Sequence, residues 1–248
     1  MDFVKMQGLG NDFVVFTSPL DPDPARIQQW CDRRTGIGAD GVLEALPVDA
    51  TTVSMRYWNA DGSPAEMCGN GLRCVAWLAH SRGWVDGDSF TVETDAGPLG
   101  VSITGDNMVR AAVGAAQRHR ITDLAVGGQT VHPVGIGNPH AVLFVEDTSL
   151  APVETVGPRV GEDPLFPDGA NVEFLHVVDE ETIDLRVWER GVGETLACAT
   201  GAAAAGFVAH DQGKTGNRVN VRLPGGDLLI GLEDDSVWME GPAHEVFA

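Results

Sequence analysis

The sequence predicts an α+β protein made of two similar halves. Short segments in which apolar and polar residues alternate recur along the chain, and this period of two is typical of half-buried strands. A motif in which one cysteine leads into an apolar, alanine-containing helix occurs twice. The chain has 248 residues, of which 43% are hydrophobic and 21% charged, so it can form two globular halves of about 120 residues each.

The duplication is visible in two pairs of matching segments. Gly-Leu-Gly-Asn at 8–11 corresponds to Gly-Ile-Gly-Asn at 135–138, and each runs into an apolar, strand-like stretch. Cys68 and Cys198 each stand ten residues after a tryptophan and three residues before a glycine. Two matches in the same order favour a duplicated unit over coincidence.

The boundary between the halves is predicted near residue 113. The first half carries Cys68 and covers 1–112, and we expect 237–248 to complete it; the second half carries Cys198 and covers 113–236. Strands are predicted over 53–58, 99–103, 183–187, 219–223 and 228–232. Helices are predicted over 24–32, 69–80, 152–160 and 201–212.

The charge of the chain disfavours several classes of function. The formal net charge is −20, which disfavours nucleic acid and anionic membranes as partners. Lys5 and Lys214 are the only lysines, so few side chains could form a Schiff base, and pyridoxal phosphate chemistry is disfavoured.

Localisation is predicted from what the sequence lacks. It contains no run of 18 apolar residues and no signal-peptide pattern at its start. Its four cysteines, which include Cys31 and Cys74, form neither a disulfide framework nor a CxxC metal motif. We therefore expect a cytoplasmic protein with reduced thiols and no metal site.

The repeated cysteines, Cys68 and Cys198, are the strongest candidates for chemistry. Each lies in a turn of small residues directly before a predicted helix, where the first backbone N–H groups are unpaired and the helix dipole is positive. Such a position favours a thiolate and can also hold a carboxylate. Two of these turns on one substrate would supply a base for one face of a carbon and an acid for the other.

At these motifs the chain resembles diaminopimelate epimerases along nearly its whole length. The resemblance lies in Gly-Leu-Gly-Asn-Asp-Phe at 8–13, Asn-Ala-Asp-Gly-Ser at 59–63, Met-Cys-Gly-Asn-Gly at 67–71, Gly-Asn-Pro-His at 137–140, Gly-Ala-Asn-Val at 169–172 and Glu-Arg-Gly-Val-Gly-Glu-Thr at 189–195. Proline racemases resemble the chain only around the cysteines, and phenazine-type isomerases share the fold but lack the two thiols.

The resemblance implies a fold and a reaction. Each half would be a mainly antiparallel sheet or barrel wrapped on a central helix, with the site in the cleft between the halves. The expected enzyme is an isomerase that needs no cofactor and interconverts LL- and meso-diaminopimelate for lysine and peptidoglycan synthesis. Cys68 and Cys198 would be the two acid/base groups, and the family suggests a homodimer.

The resemblance also implies the remaining site residues. His140 and Glu189 are expected to assist the thiols. Substrate contacts are expected from Asn11, Asn59, Gly69, Asn70, Asn138, Asn171, Glu189, Arg190, Ala199 and Thr200. Two positions depart from the family pattern: Gly41 stands where glutamine is frequent, and Ala199 stands where glycine is usual.

Three other interpretations remain open from the residues. Another amino-acid racemase could use the same scaffold, for example on histidine or a hydroxyproline. A cysteine hydrolase or acyl transferase could use Cys198 with His140, which would need only one thiol. A binding module without activity would leave the repeated thiols unexplained.

Overall fold

The structure, a computed structural model, describes residues 2–118, 124–126, 128–233 and 236–248. The chain divides into two units. The first unit consists of Met1–Ala112 with Glu240–Ala248, and the second consists of Val113–Met239.

The first part of the chain forms eight strands and two helices among its described residues. They are β1 (Phe3–Gly8), β2 (Asn11–Phe16), α1 (Pro24–Cys31), β3 (Gly41–Asp49), β4 (Thr52–Asn59), β5 (Pro64–Ala65), α2 (Gly69–Ser81), β6 (Ser89–Thr94), β7 (Gly97–Gly105) and β8 (Met108–Ala115).

The described remainder of the chain continues in the same manner. It forms β9 (Gln117–Arg118), β10 (Leu124–Val126), β11 (Gln129–Ile136), β12 (Asn138–Phe144), α3 (Val153–Gly161), β13 (Asn171–Asp179), β14 (Thr182–Glu189), β15 (Gly193–Thr195), α4 (Ala199–Asp211), β16 (Arg218–Leu223), β17 (Gly226–Glu233), β18 (Ser236–Pro242) and β19 (His244–Phe247).

Both units use the same strand connections. In the first unit β1–β2, β3–β4 and β6–β7 are antiparallel, whereas β2–β3 and β4–β6 are parallel. In the second unit β11–β12, β13–β14 and β16–β17 are antiparallel, whereas β12–β13 and β14–β16 are parallel. A helix lies between the members of each parallel pair, as such crossovers require. The predicted α+β class with two similar halves is confirmed.

One long helix forms the centre of each unit. Helix α2 packs on β1, β2, β3, β4, β7 and β19, and α4 packs on β11, β12, β13, β14, β16 and β17. The four consecutive alanines at 202–205 are fully buried. This is expected for α4, since a helix that is apolar on all sides is stable only when protein surrounds it. The small side chains also allow a close approach: a Cβ on Gly206 would lie 3.0 Å from Ile230 Cγ2.

Candidate active site

Cys68 is the N-cap residue of α2. Its backbone is extended, with φ −138°, and its sulfur accepts a hydrogen bond from the Gly71 N–H at 3.5 Å. A capping group at this position leaves the neighbouring N–H groups of the first turn available to an anion. The first unit therefore places a half-buried thiol beside a potential carboxylate-binding turn.

Two asparagine side chains hold this turn. Asn11 Oδ1 accepts from Asn70 Nδ2 at 3.1 Å and from the Cys68 thiol at 3.8 Å. Asn11 Nδ2 donates to Asp40 Oδ2 at 2.9 Å, so the amide orientation of Asn11 is determined by its partners. The structure thus brings together Asn11, Cys68 and Asn70 of the predicted set.

A group of four charged residues supports the Asn11 turn. Asp12 forms ion pairs with Lys5 and with Arg33, each at 2.6 Å, and Arg33 also bonds Asp40 at 2.8 Å. Burial alone would raise the pKa of Asp12, but the hydrogen bonds from Arg33 and Lys5 lower it to about 2. The two carboxylates are therefore matched by two cations.

Arg73 is a completely buried cation on α2. Its guanidinium donates to Asn70 Oδ1 at 2.9 Å, to the Gly69 carbonyl at 3.4 Å and to the Pro242 carbonyl at 3.3 Å. Burial lowers its pKa to about 10, and a negative charge on Cys74 or Cys68 would act in the opposite direction. An arginine with this pKa remains a cation at neutral pH.

Cys198 is the N-cap residue of α4 and repeats the Cys68 geometry. Its sulfur accepts from the Gly201 N–H at 3.4 Å and lies 3.5 Å from Thr200 Oγ1. The environment differs, because Cys198 is buried and carboxylates lie near it. Burial, followed by the charges of Glu189 and Glu173, raises the pKa of Cys198 well above its ordinary value.

His140 and Glu173 form a fully buried pair in the second unit. His140 Nδ1 lies 2.7 Å from Glu173 Oε1, and neither side chain is exposed. Burial raises the pKa of Glu173, and the charge of His140 opposes this shift. Among the described residues, neither His140 Nε2 nor Glu173 Oε2 has a hydrogen-bond partner. A Cβ on Gly201 would lie 2.9 Å from Glu173 Oε1, which places the carboxyl group directly beside the Cys198 turn.

Glu189 also belongs to the surroundings of Cys198. Its carboxylate accepts a hydrogen bond from the Thr195 hydroxyl and is within hydrogen-bonding reach of the Cys198 thiol. Burial raises the pKa of Glu189, and the charge of Glu173 raises it further. The predicted residues Glu189, Cys198 and Thr200 are thus brought together, with Glu173 added to them.

The other polar residues predicted for the second unit lie at strand ends. Asn171 Oδ1 accepts from the Arg190 backbone N–H at 2.9 Å, and Arg190 Nη1 donates to the Asp168 carbonyl at 2.5 Å. Asn138, at the start of β12, has a buried Oδ1 without a partner in the described part of the chain. That oxygen is the acceptor in this group that remains available to a ligand.

Asn59 is not drawn into the Cys68 cluster by any hydrogen bond that the structure describes. It ends β4, and its Nδ2 donates to Ser63 Oγ at 3.0 Å. Gly69 is the first residue of α2 and Ala199 the first residue of α4. Ala199 has no positive φ, so its methyl group fits the helical backbone without strain.

Gly41 has a steric explanation. A Cβ at this position would lie 2.6 Å from Tyr57 Cε2 and 2.7 Å from the Trp58 carbonyl. The tyrosine ring occupies the space that a longer residue at 41 would need.

Sequence reasoning missed Arg73 and Glu173. Each is a charged residue between two buried neighbours, Arg73 in α2 and Glu173 in β13. Since charged side chains are almost never fully buried unless they are paired, the signal was a charge at a position whose neighbours on both sides are core residues.

Metal and membrane features are absent from the part of the chain that the structure describes. No three His, Cys, Asp or Glu side chains there are arranged to hold a metal ion. None of the helices there is long and apolar enough to pass through a bilayer.

The fold is shared with solved structures of low sequence similarity. A phenazine biosynthesis protein from Bacillus anthracis matches with a TM-score of 0.75 at 15% identity, over 99% of this chain and 98% of that chain. A probable proline racemase from Agrobacterium radiobacter has a TM-score of 0.75 at 15% identity, over 99% and 91%. A hydroxyproline epimerase from Agrobacterium vitis has a TM-score of 0.74 at 16% identity, over 99% and 89%. These likenesses define the class of fold that proline racemases and phenazine biosynthesis proteins have in common.

The sequence comparisons identify one family within this class. The family model described as diaminopimelate epimerase matches residues 3–119 and 133–246. A diaminopimelate epimerase from Moorella thermoacetica is 43% identical, over 100% of this chain and 98% of the relative. One from Alkalilimnicola ehrlichii is 44% identical, over 99% and 96%. The chain belongs to the diaminopimelate epimerase family, a family of isomerases, and the resemblance found in its motifs is confirmed.

Proposed function

We propose that this protein is a cofactor-independent epimerase that interconverts LL- and meso-diaminopimelate, with Cys68 and Cys198 as its acid and base. One observation supports this above the others: each unit carries a thiol as the N-cap of its central helix, in a family whose curated members are named diaminopimelate epimerases. Two such groups suit a reaction that removes a proton from one face of a carbon and returns a proton to the other face.

The proposed step balances as a transfer of one proton in and one proton out. A cysteine thiolate removes the α-proton, and the electron pair of the broken C–H bond is delocalised toward the adjacent carboxylate. The other cysteine thiol donates its proton to the opposite face and becomes the thiolate. In the reverse reaction the two sulfurs exchange roles.

The negative charge that develops on the carboxylate is stabilised by the helix N-termini. Backbone N–H groups at Gly69 and Asn70, and at Ala199 and Thr200, are the proposed donors. One preorganised donor of this kind contributes about 3 kcal/mol to a transition state. The same groups hold the carboxylate in the ground state, so they also orient the α-carbon.

The second amino-acid end of the substrate needs its own partners. The Arg190 guanidinium suits a carboxylate with two parallel hydrogen bonds, and Glu189 suits an ammonium group. Asn138 Oδ1 is buried without a partner among the described residues, which fits an acceptor for a substrate N–H. Asn11, Asn59 and Asn171 complete the proposed set of contacts.

His140 and Glu189 are the proposed assistants of the thiols. His140 with its Nδ1 proton directed to Glu173 leaves Nε2 as an acceptor. Glu189 lies within hydrogen-bonding reach of Cys198. We further propose that the protein acts in the cytoplasm, as a homodimer, in lysine and peptidoglycan synthesis; light scattering on the purified protein checks the dimer.

Proton NMR of LL-diaminopimelate with the protein in D2O tests the reaction. We expect loss of the α-proton signal, with no exchange at the side-chain carbons, together with appearance of the meso isomer. A parallel sample with trans-4-hydroxyproline tests the rival racemase, since a protein of that activity shares the fold. Exchange of hydroxyproline and none of diaminopimelate would overturn the proposal, and so would exchange without inversion.

A further inference from the structure

We propose that Cys68 is the thiol that ionises in the resting protein while Cys198 keeps its proton, and that the buried side chains of Arg73 and Glu173 are the positioning residues that set this order. This inference rests on the proposed function, because it assigns the starting roles of the two thiols that the reaction uses. Both positioning residues act through a cysteine rather than on the substrate.

The buried charge of Arg73 favours the anion of Cys68, against the weaker effect of Asn11 Oδ1, a neutral acceptor 3.8 Å from the sulfur. Arg73 lies on the same helix, one turn beyond the thiol, with no exposed surface, so its charge acts through protein rather than water. It donates to the carbonyl of Gly69 and to the side chain of Asn70, the two residues that follow the thiol. Arg73 and Cys68 are also electrostatically coupled, since the thiolate favours the charged guanidinium.

The other charged groups that the structure describes near Cys68 are paired with opposite charges or exposed to solvent. The carboxylates of Asp12 and Asp40 lie behind Asn11, and Lys5 and Arg33 match them with two positive charges. Glu66 precedes the thiol in the loop and is exposed to solvent, which screens it. On α2 itself, Cys74 is fully buried, and burial raises its pKa to about 12, so it remains a neutral thiol.

The surroundings of Cys198 oppose its anion. Two carboxylate-bearing residues contribute, Glu173 from β13 and Glu189 from β14, and the sulfur itself is buried. His140 on β12 faces Glu173, with its Nδ1 2.7 Å from Glu173 Oε1. Burial raises the pKa of Cys198, and the charges of Glu189 and Glu173 shift it in the same direction.

Unequal ionisation of the two thiols affects turnover. A reaction that starts with the Cys68 thiolate ends with the proton on Cys68 and the thiolate on Cys198. The resting form is regained only when one proton returns to Cys198 and one leaves Cys68. The resting protein can therefore deprotonate one of the two epimers directly. The reverse reaction starts from the less populated form, in which Cys198 is the thiolate and Cys68 the thiol.

Alkylation of each cysteine by iodoacetamide, followed from pH 6 to pH 11 in the full-length protein without substrate, tests the order. In the parent, trypsin places the four cysteines in separate peptides, because Arg73 lies between Cys68 and Cys74. Where residue 73 is not a cleavage site, Cys68 and Cys74 share peptide 57–82, and fragment-ion mass spectrometry assigns the label to one cysteine or the other. Limited access to a sulfur lowers the whole rate curve by a constant factor. Each curve is therefore normalised to its plateau, and its midpoint gives the pH at which that thiol is half ionised. We expect a lower midpoint for Cys68 than for Cys198, with Cys31 and Cys74 unreactive near pH 8 because burial raises their pKa values to about 11 and about 12.

Charge variants identify the cause. Arg73→Met should raise the Cys68 midpoint by about one pH unit, which is about a tenfold loss of thiolate below the midpoint, whereas Arg73→Lys should keep it. Glu173→Gln should lower the Cys198 midpoint by a similar amount and leave Cys68 unchanged. Arg34→Met removes an exposed positive charge and is the control for Arg73→Met. Glu146→Gln removes an exposed negative charge and is the control for Glu173→Gln.

Several outcomes would overturn the inference. Equal midpoints, or a lower midpoint for Cys198, contradict the order. Equal shifts in Arg73→Met and Arg73→Lys would assign the effect to packing rather than charge. Should Arg73→Met not fold, Arg73→Lys and Glu173→Gln still decide the question. Failure here with epimerisation intact rejects only the order of ionisation, and failure of the NMR experiment rejects the proposed function independently.

Discussion

The two units share a backbone plan but differ in the side chains that surround their thiols. In the first unit the leucine Leu43 contacts the helix glycine Gly71, since a Cβ on that glycine would lie 3.2 Å from the leucine side chain. In the second unit Glu173 takes the corresponding place beside Gly201. The duplicated element is thus the thiol turn, whereas the groups that control its proton are specific to each unit.

A second pair of positions shows the same divergence. Phe13 lies opposite Gly41 in the β2–β3 pairing, and His140 lies opposite Asn171 in the equivalent β12–β13 pairing. Two buried apolar residues of the first unit, Phe13 and Leu43, therefore stand at the positions of the polar pair of His140 and Glu173 in the second. Such divergence is expected if an acid and a base of unequal strength are more useful than two equal ones.

The largest effect is expected from replacing either thiol. Cys68→Ser and Cys198→Ser should each reduce epimerisation about a thousandfold, because a serine hydroxyl is a far weaker acid and base in the proton transfer. The measurement is the rate of appearance of the other epimer by NMR. Cys74→Ala is the control, since Cys74 is buried on the same helix and should affect stability but not the chemical step.

This experiment also separates the competing functions. Full activity of Cys68→Ser on an ester or amide substrate would favour a hydrolase that uses Cys198 alone. If Cys198→Ser lost most of its epimerisation rate while Cys68→Ser lost less than tenfold, the reaction would not depend on both thiols.

Converting the polar pair of the second unit to the apolar pair of the first should give the next largest effect. His140→Phe alone leaves the Glu173 carboxyl group buried without its partner and should cost about 3 kcal/mol of unfolding free energy. Glu173→Leu alone leaves His140 Nδ1 unsatisfied and should cost less, about 2 kcal/mol. The double variant should recover most of this stability, because apolar pairs of similar volume often replace buried ion pairs without loss.

Activity distinguishes a functional pair from a merely structural one. The double variant should be stable yet at least about tenfold slower, because it lacks the His140 acceptor and the Glu173 charge. Denaturant unfolding and NMR rates are measured on the parent, the two single variants and the double variant, which together form a double-mutant cycle. A double variant with normal turnover would show that the pair serves only folding.

Pattern reasoning predicted the regular parts of both units for identifiable reasons. Strands over 53–58 and 183–187 were predicted from alternation and lie within β4 and β14, which are buried on one face. The predicted start of α4 at residue 201 is two residues late, because a cysteine side chain serves as the cap at 198. Alternation could not indicate β13, whose first five residues are all buried.

The same limit explains which site residues were missed. Cys68 and Cys198 were found because their turns repeat in the sequence. Glu173 lies in the continuously buried part of β13, and Arg73 lies between core residues of α2. A charge between apolar neighbours is a local signal of burial, but it does not show which group the charge lies beside. Only tertiary contacts reveal that each is adjacent to a thiol turn.

The smallest expected effect comes from adding one methyl group to each thiol turn. Neither Gly71 nor Gly201 has a positive φ, so alanine is compatible with both backbones. Gly71→Ala would contact Leu43 methyl groups at 3.2–3.3 Å, and a small rotation of the leucine relieves this. The gain in helix propensity, at most about 1 kcal/mol, should leave this variant within about 0.5 kcal/mol of the parent.

Gly201→Ala should behave differently because its new methyl group meets the polar pair. The methyl would lie 2.9 Å from Glu173 Oε1 and 3.3 Å from the Cys198 sulfur, and Glu173 is held by its hydrogen bond to His140. We expect a loss of about 1 kcal/mol of unfolding free energy, from overpacking partly offset by propensity. We also expect about tenfold slower epimerisation, because the carboxylate is displaced from its place beside the thiol. The two alanine variants are compared in thermal unfolding and in epimerisation rate. Equal results would mean that the Glu173 side chain moves away from the new methyl group as easily as the Leu43 side chain does. The two thiol turns would then tolerate added volume equally, as well as sharing a backbone conformation.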